Sequence, residues 1–268
     1  MSPELRPLFD LTGRVAVVTG GGSGLGREFC DALAEFGADV VCAEIDENLG
    51  KETCEIIKKY GHEALALTVD VSKYDQVQAM FLQVMERFGK LDILVNNAGV
   101  APPPFLIGET RISDWHRVID VDLHGVFYCL KEGLKIKQKQ GKGSVINISS
   151  VGGLFAVPPE GMPQAAYVAA KHAVIGLTKQ AAAEYGQFGV RVNCIAPGLH
   201  IGTRLPQSMG ITTPPEEQKA GTKILEQIAL HRAAQPMELK GLMVYLASDA
   251  ASYMTGATVI HDGGLSIC

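Results

Sequence analysis

The sequence contains no Cys-x-x-Cys pair, no apolar run near the roughly 18–20 residues that a membrane span requires, and no excess of positive charge. Its six cysteines, Cys30, Cys42, Cys54, Cys129, Cys194 and Cys268, are scattered through a chain too long to need disulfide staples, and they read as reduced thiols of a cytoplasmic protein. Neither they nor the seven histidines show the paired spacing of a metal site, so no metal is expected. A formal net charge of −5 offers no basic stripe to neutralise phosphates, which excludes nucleic acid as an expected partner. Met1 to Asp10 carries three charged residues and two prolines in place of a signal peptide's apolar core, so neither export nor a membrane is expected. Linkers, low-complexity segments and repeats beyond a recurring strand–helix unit are also missing.

What is present is a chain of 268 residues, 47% of them hydrophobic, which can bury one large core and is read as a single domain over 1–268. Short β-branched runs at Val15–Thr19, Asp39–Ile45, Ala64–Val71, Leu91–Asn96, Ser144–Ser149, Arg191–Ala196 and Thr258–His261 predict strands. Helical spacing or strong helix formers mark Gly24–Phe36, Glu47–Tyr60, Tyr74–Phe88, Ser113–Lys139, Ala165–Gln187 and Pro236–Ser248. This alternation predicts an α/β fold, a doubly wound parallel sheet of about seven strands with helices on both faces, because the strands are too uniformly apolar to be half exposed. Three long segments, 100–112, 151–164 and 199–235, each follow a predicted strand and so converge beyond the carboxyl edge of the sheet, where ligands bind.

The first predicted strand runs into Thr19-Gly20-Gly21-Gly22-Ser23-Gly24-Leu25-Gly26 and then a helix. Glycines allow the tight turn and let backbone approach a pyrophosphate, while the helix N-terminus offers free N–H groups and a positive dipole. The position between strand and helix points to a dinucleotide site at Gly20, Ser23, Gly24, Leu25 and Gly26. Glu44 stands 18 residues after Gly26, near the roughly 20-residue spacing of a carboxylate that grips the adenosine ribose, with Asp46 as the alternative. A carboxylate there would repel a 2′-phosphate, and the turn itself lacks a cation to offset it, which selects NAD.

Tyr167 and Lys171 are four apart on a predicted helix and share a face. A phenol is a poor base at neutral pH unless positive charge stabilises the phenolate; at about 4 Å and an effective dielectric near 20, an ammonium contributes roughly 4 kcal/mol. Upstream, the strand Ser144–Ser149 ends in two hydroxyls, Ser149 and Ser150, followed by Val151-Gly152-Gly153.

Taken with the glycine turn, Asn96-Asn97-Ala98-Gly99, Pro197-Gly198 and Asp262-Gly263-Gly264, these residues make the chain resemble the short-chain dehydrogenase/reductase family from about Leu11 to Leu265. The resemblance implies a Rossmann-like fold and a homotetramer. It implies that Tyr167 is the general acid/base, that Lys171 holds the nicotinamide ribose and lowers the tyrosine pKa, and that Ser150 bonds the reacting oxygen. It places Asp70 and Val71 at the adenine, Asn97 and Gly99 beside the cofactor, and Pro197, Ile201 and Thr203 near the carboxamide. Two positions depart from the family pattern. Asp122 stands where the family usually has a proton-relay asparagine, and Pro197–Thr203 is one residue longer than usual.

The expected activity is NAD-dependent interconversion of a secondary alcohol and its ketone, with Phe105, Leu106, Leu154, Phe155, Met162 and Met209 suggesting either a substrate with a hydrocarbon body or packing of the edge loops themselves. His200 and His231 could reach that substrate or be ordinary structural or solvated histidines. Three rival readings are an inactive nicotinamide-binding sensor, an NADP-linked 3-oxoacyl reductase, and a sugar-nucleotide epimerase or dehydratase.

Overall fold

The apolar runs become strands β1 (Val15–Thr19), β2 (Asp39–Glu44), β3 (Ala64–Thr68), β4 (Ile93–Asn96), β5 (Gly143–Ile148), β6 (Val190–Pro197) and β7 (Thr258–His261). A computed structural model describes residues 5–156, 164–210 and 224–267 of the chain. All strand pairings are parallel, in the order β3-β2-β1-β4-β5-β6-β7. The helices are α1 (Gly24–Glu35), α2 (Glu47–Lys58), α3 (Tyr74–Phe88), α4 (Ile112–Ile119), α5 (Val126–Gln140), α6 (Ala165–Tyr185), the short α7 (Leu205–Ser208) and α8 (Lys240–Ala247).

The inner strands are buried on both faces of the sheet, and β1 shows how. Val15 and Val17 join a cluster with Met80 and Phe81 of α3, Leu130 of α5 and Val174 of α6, whereas Ala16 and Val18 join Phe29 of α1, Ile57 of α2 and Met243 of α8 on the other side. Each fully buried aliphatic side chain contributes roughly 1.5–3 kcal/mol of transfer free energy, which is why strands this short hold their register. Winding runs from β1 outward in both directions, so the chain reverses between β1 and β4 and opens a crevice beyond their carboxyl ends.

Two differences from the expected elements bear on the site. The expected strand Ala64–Val71 stops at Thr68, because Asp70 turns its carboxylate back to accept the Ser72 N–H (2.9 Å). The expected helix Ser113–Lys139 is interrupted by a π-helical turn over Asp120–Gly125, which carries Asp122 into the interior with no exposed surface.

At the opposite edge of the sheet, Lys137 of α5 is fully buried and donates to the carbonyls of Leu91 (3.0 Å) and Asp92 (2.7 Å), tying α5 to the start of β4. Burial, resisted by Asp92 and aided by Arg191, brings its ammonium down to about 7. An unfolded lysine titrates near ~10.4, so between the two values the unfolded chain binds the extra proton and stability rises with pH. Relative to Lys137→Met, the wild-type urea midpoint is expected to climb from neutral pH to about pH 10 and to stay level at its lower value below neutrality. A difference that stays flat with pH would show that Lys137 keeps its proton in the fold.

Candidate active site

The glycine turn after β1 is shaped for a close approach by backbone. A Cβ on Gly26 would fall 2.0 Å from the Gly20 carbonyl oxygen, and Gly24 holds φ +50. Ser23 is the extended N-cap of α1 and its hydroxyl makes no capping bond, so the helix does not close its own N-terminus. Leu25 anchors the turn against the buried face of α1. The Asn97 side chain crosses from the end of β4 to donate to the carbonyls of Thr19 (2.9 Å) and Gly20 (3.1 Å), fixing the turn at the crevice. This cradle, with an uncapped helix terminus behind it, fits the pyrophosphate of a dinucleotide.

Glu44 ends β2 beside the turn and is buried, with Oε2 accepting the Gly22 N–H (3.0 Å) and Oε1 accepting the Ile45 N–H (2.9 Å). Asp46, the alternative, is occupied elsewhere: its carboxylate caps α2 by accepting from Asn48 (3.1 Å) and Leu49 (3.4 Å). A cation that sequence reasoning missed, Arg27, lies close by. Its guanidinium is held by the Gly22 carbonyl (2.9 Å), Thr53 Oγ1 (3.1 Å) and Glu52 (3.0 Å).

The remaining expected cofactor positions converge on the same edge. Asp70 and the buried Val71 follow β3, with Val71 packed against the π turn at Gly125. Gly99, after β4, lies beside Asp122 and Lys171. Pro197 closes β6, and Ile201 donates its N–H to the Ala234 carbonyl (3.0 Å). Thr203 reaches the glycine turn, since a Cβ on Gly24 would come 3.2 Å from Thr203 Cα.

Tyr167 and Lys171 lie one turn apart on α6, with Lys171 Nζ 5.3 Å from the centre of the phenol ring. Lys171 is buried, meets Asp122 Oδ2 at 3.0 Å and donates to the Ile148 carbonyl at 3.2 Å. Ser150 accepts the Gly152 N–H (3.1 Å) and stands close enough to the phenol to favour its ionised form. Ser149 instead points into the core and donates to the Lys171 carbonyl (2.8 Å).

One electrostatic expectation is corrected here. Burial holds the Tyr167 phenol above its ordinary value; Lys171 pulls it down, but Asp122 pushes it up again. Burial alone would lower Lys171, yet Asp122 and Tyr167 more than offset it and leave the ammonium above the usual lysine range. Burial also lifts the Asp122 carboxyl against the pull of Lys171, so the two partners disagree about where the shared proton belongs. The lysine direction governs, because both Asp122 oxygens face donors, Oδ1 the Val100 N–H (2.8 Å) and Oδ2 the ammonium, as an ionised carboxylate requires.

The edge loops meet above this group. Ser208 of α7 accepts the Ala101 N–H (2.9 Å), and Arg117 of α4 donates to the carbonyls of Ala101 (3.1 Å) and Ser208 (3.3 Å). Sequence spacing gave no signal for this tie. Met209 is buried there beside Gln164 Nε2 (2.7 Å to its sulfur), Leu154 packs on the core, and Phe105 and Leu106 are exposed. Met162 lies outside the described residues. His200 is buried against His261, ring centres 5.5 Å apart, while His231 is exposed in a turn with φ +51. Among the described residues no group of three His, Cys, Asp or Glu could hold a metal, and no helix is long and apolar enough to cross a membrane.

The enoyl-(acyl carrier protein) reductase family model matches residues 20–266. A short chain dehydrogenase/reductase of Aspergillus oryzae is 45% identical over 265 residues, covering 97% of this chain and 97% of that protein. The levodione reductase of Leifsonia aquatica is 35% identical over 268 residues, covering 99% of each. A solved gluconate 5-dehydrogenase from Burkholderia cenocepacia, in complex with NADP and tartrate, matches with a TM-score of 0.90 at 32% identity, covering 99% of this chain and 100% of that one.

Proposed function

The chain belongs to the short-chain dehydrogenase/reductase family and is an NAD(P)-dependent oxidoreductase of CH–OH groups, and from that premise we propose that it interconverts a secondary alcohol and its ketone with NAD, using Tyr167 as the acid/base. The observation that carries this reading is the gathering of the Tyr167 phenol, the Lys171 ammonium and the Ser150 hydroxyl at the crevice where the glycine cradle ends.

The nicotinamide, when bound, supplies the acceptor or donor of the hydride. In oxidation the Tyr167 phenolate takes the hydroxyl proton of the substrate; in reduction its O–H bond breaks and the proton goes to the carbonyl oxygen. Ser150 Oγ donates to that oxygen and fixes it beside the phenol. Lys171 holds the ribose hydroxyls on the nicotinamide side, and Asn97, Gly99, Pro197, Ile201 and Thr203 line the same arm. Gly20, Ser23, Gly24, Leu25 and Gly26 seat the pyrophosphate, with Asp70 and Val71 at the adenine.

The choice of NAD over NADP rests on Glu44, whose carboxylate faces the turn where a 2′-phosphate would sit, and on Arg27, whose guanidinium is already held by Glu52, Thr53 and the Gly22 carbonyl. The NADP in the Burkholderia enzyme makes this the part of the reading most open to test. Glu44→Ala is expected to lower kcat/KM for NAD about tenfold or more while NADP gains or holds, narrowing the ratio between them. An unchanged ratio would discard Glu44 as the selector.

For the substrate, Met209 and Phe105 at the edge loops favour an alcohol or ketone with an apolar body. A panel of secondary alcohols with NAD and ketones with NADH, followed by NADH absorbance, tests the activity; hydride transfer to or from none of them would count against it. Exposed Ile112, Trp115 and Phe127 on α4 and α5 support the homotetramer, which sedimentation of the purified chain reads directly.

A further inference from the structure

The ion pair between Asp122 and Lys171 changes the charge that the phenol feels. Both partners are buried, 3.0 Å apart, on different elements: Lys171 on α6 and Asp122 on the π turn. A lone ammonium beside Tyr167 presents a net charge of plus one; the pair presents none, and the phenolate that would form faces a carboxylate as well as an ammonium. The remaining groups around the phenol do not restore the difference. Ser150 contributes a neutral hydroxyl, and the ring itself packs among Val118, Ala166 and Ala170. Arg117 of α4 acts on Asp122, and Cys194 of β6 acts on Lys171, while neither is among the groups that act on the phenol.

We propose that Asp122 is a charge-setting positioning residue: by pairing with Lys171 it removes the net positive charge beside Tyr167, so the phenol keeps its proton at neutral pH and the site is loaded as a proton donor for carbonyl reduction. Alcohol oxidation, which needs the phenolate, then gains ground only as the pH is raised. The inference rests on Tyr167 being the acid/base. It goes beyond that role by assigning a neighbour, acting through Lys171, to the pH at which each direction runs.

The test isolates one phenol. Near-ultraviolet phenolate absorbance is titrated for the full chain and for Tyr167→Phe, and the difference gives the Tyr167 midpoint; the same pair is measured with Asp122→Asn added. Asparagine keeps the shape and the acceptor for the Val100 N–H but removes the charge. The midpoint is expected to fall by about one pH unit or more, and the pH of half-maximal alcohol oxidation to fall with it. Asp122→Glu, which restores the charge, should return both toward wild type, and Asp122→Ser supplies the reading if asparagine is not accommodated. A midpoint that stays put or rises in Asp122→Asn overturns the proposal. If instead the midpoint falls but Tyr167→Phe retains full turnover, the acid/base reading fails and Asp122's control of the phenol charge stands.

Discussion

Replacing Tyr167 by phenylalanine is expected to lower kcat about a thousandfold in both directions, within the ~10²–10⁴ contributed by a positioned acid–base group. The same change should leave NADH affinity within about a factor of two, or less than ~0.5 kcal/mol. The two expectations separate because the variant removes one hydroxyl and little else. The ring packs against Val118, Ala166 and Ala170, contacts that phenylalanine keeps. Lys171 retains Asp122 and the Ile148 carbonyl, so the ammonium stays in place. What disappears is the only hydroxyl on α6 that stands beside both Ser150 and Lys171. Steady-state rates with alcohol and with ketone, alongside NADH fluorescence titration, read both effects. Turnover within about tenfold of wild type would take the phenol out of the proton path.

The sheet was legible because its inner strands are buried on both faces, so the apolar runs from Val15 to Ala196 stand out without any alternation to decode. The glycine turn was legible for a similar reason, since strand, glycines and helix follow one another within a few residues. Long-range pairing left no such trace. Helical periodicity across Ser113–Lys139 does not register the π turn, and so it could not foresee that Asp122 meets Lys171 instead of offering only its backbone. Nor could spacing tell that Asp46 would cap α2, which removes it as a rival to Glu44. The sequence carries no signal for the partners of Arg27, which folds back onto Gly22, or for the burial of Lys137. For Asp122 and Lys137 the partners are distant in sequence, and burial, not local propensity, decides the outcome.

The buried pair itself should show in stability. Lys171→Met is expected to cost about 3–5 kcal/mol at neutral pH, equivalent to roughly 6–20 °C in Tm for a chain of this size. Methionine fills the space of the lysine stem, so the cost comes from the carboxylate left behind, which is fully buried and keeps only the Val100 N–H. Without its ammonium, Asp122 binds its proton more tightly in the folded chain than in the unfolded one. The folded state then holds the extra proton, and the variant loses stability as pH rises through the folded value. The deficit relative to wild type should therefore shrink as the pH is lowered toward about 5. Adding Asp122→Asn to Lys171→Met removes the stranded charge, so the double variant should regain most of the loss. Urea denaturation of the wild type, the two single variants and the double variant closes the cycle. Costs that simply add, with no recovery in the double variant, would mean that the two groups are neighbours without being coupled, and the charge balance assigned to Asp122 would have no basis.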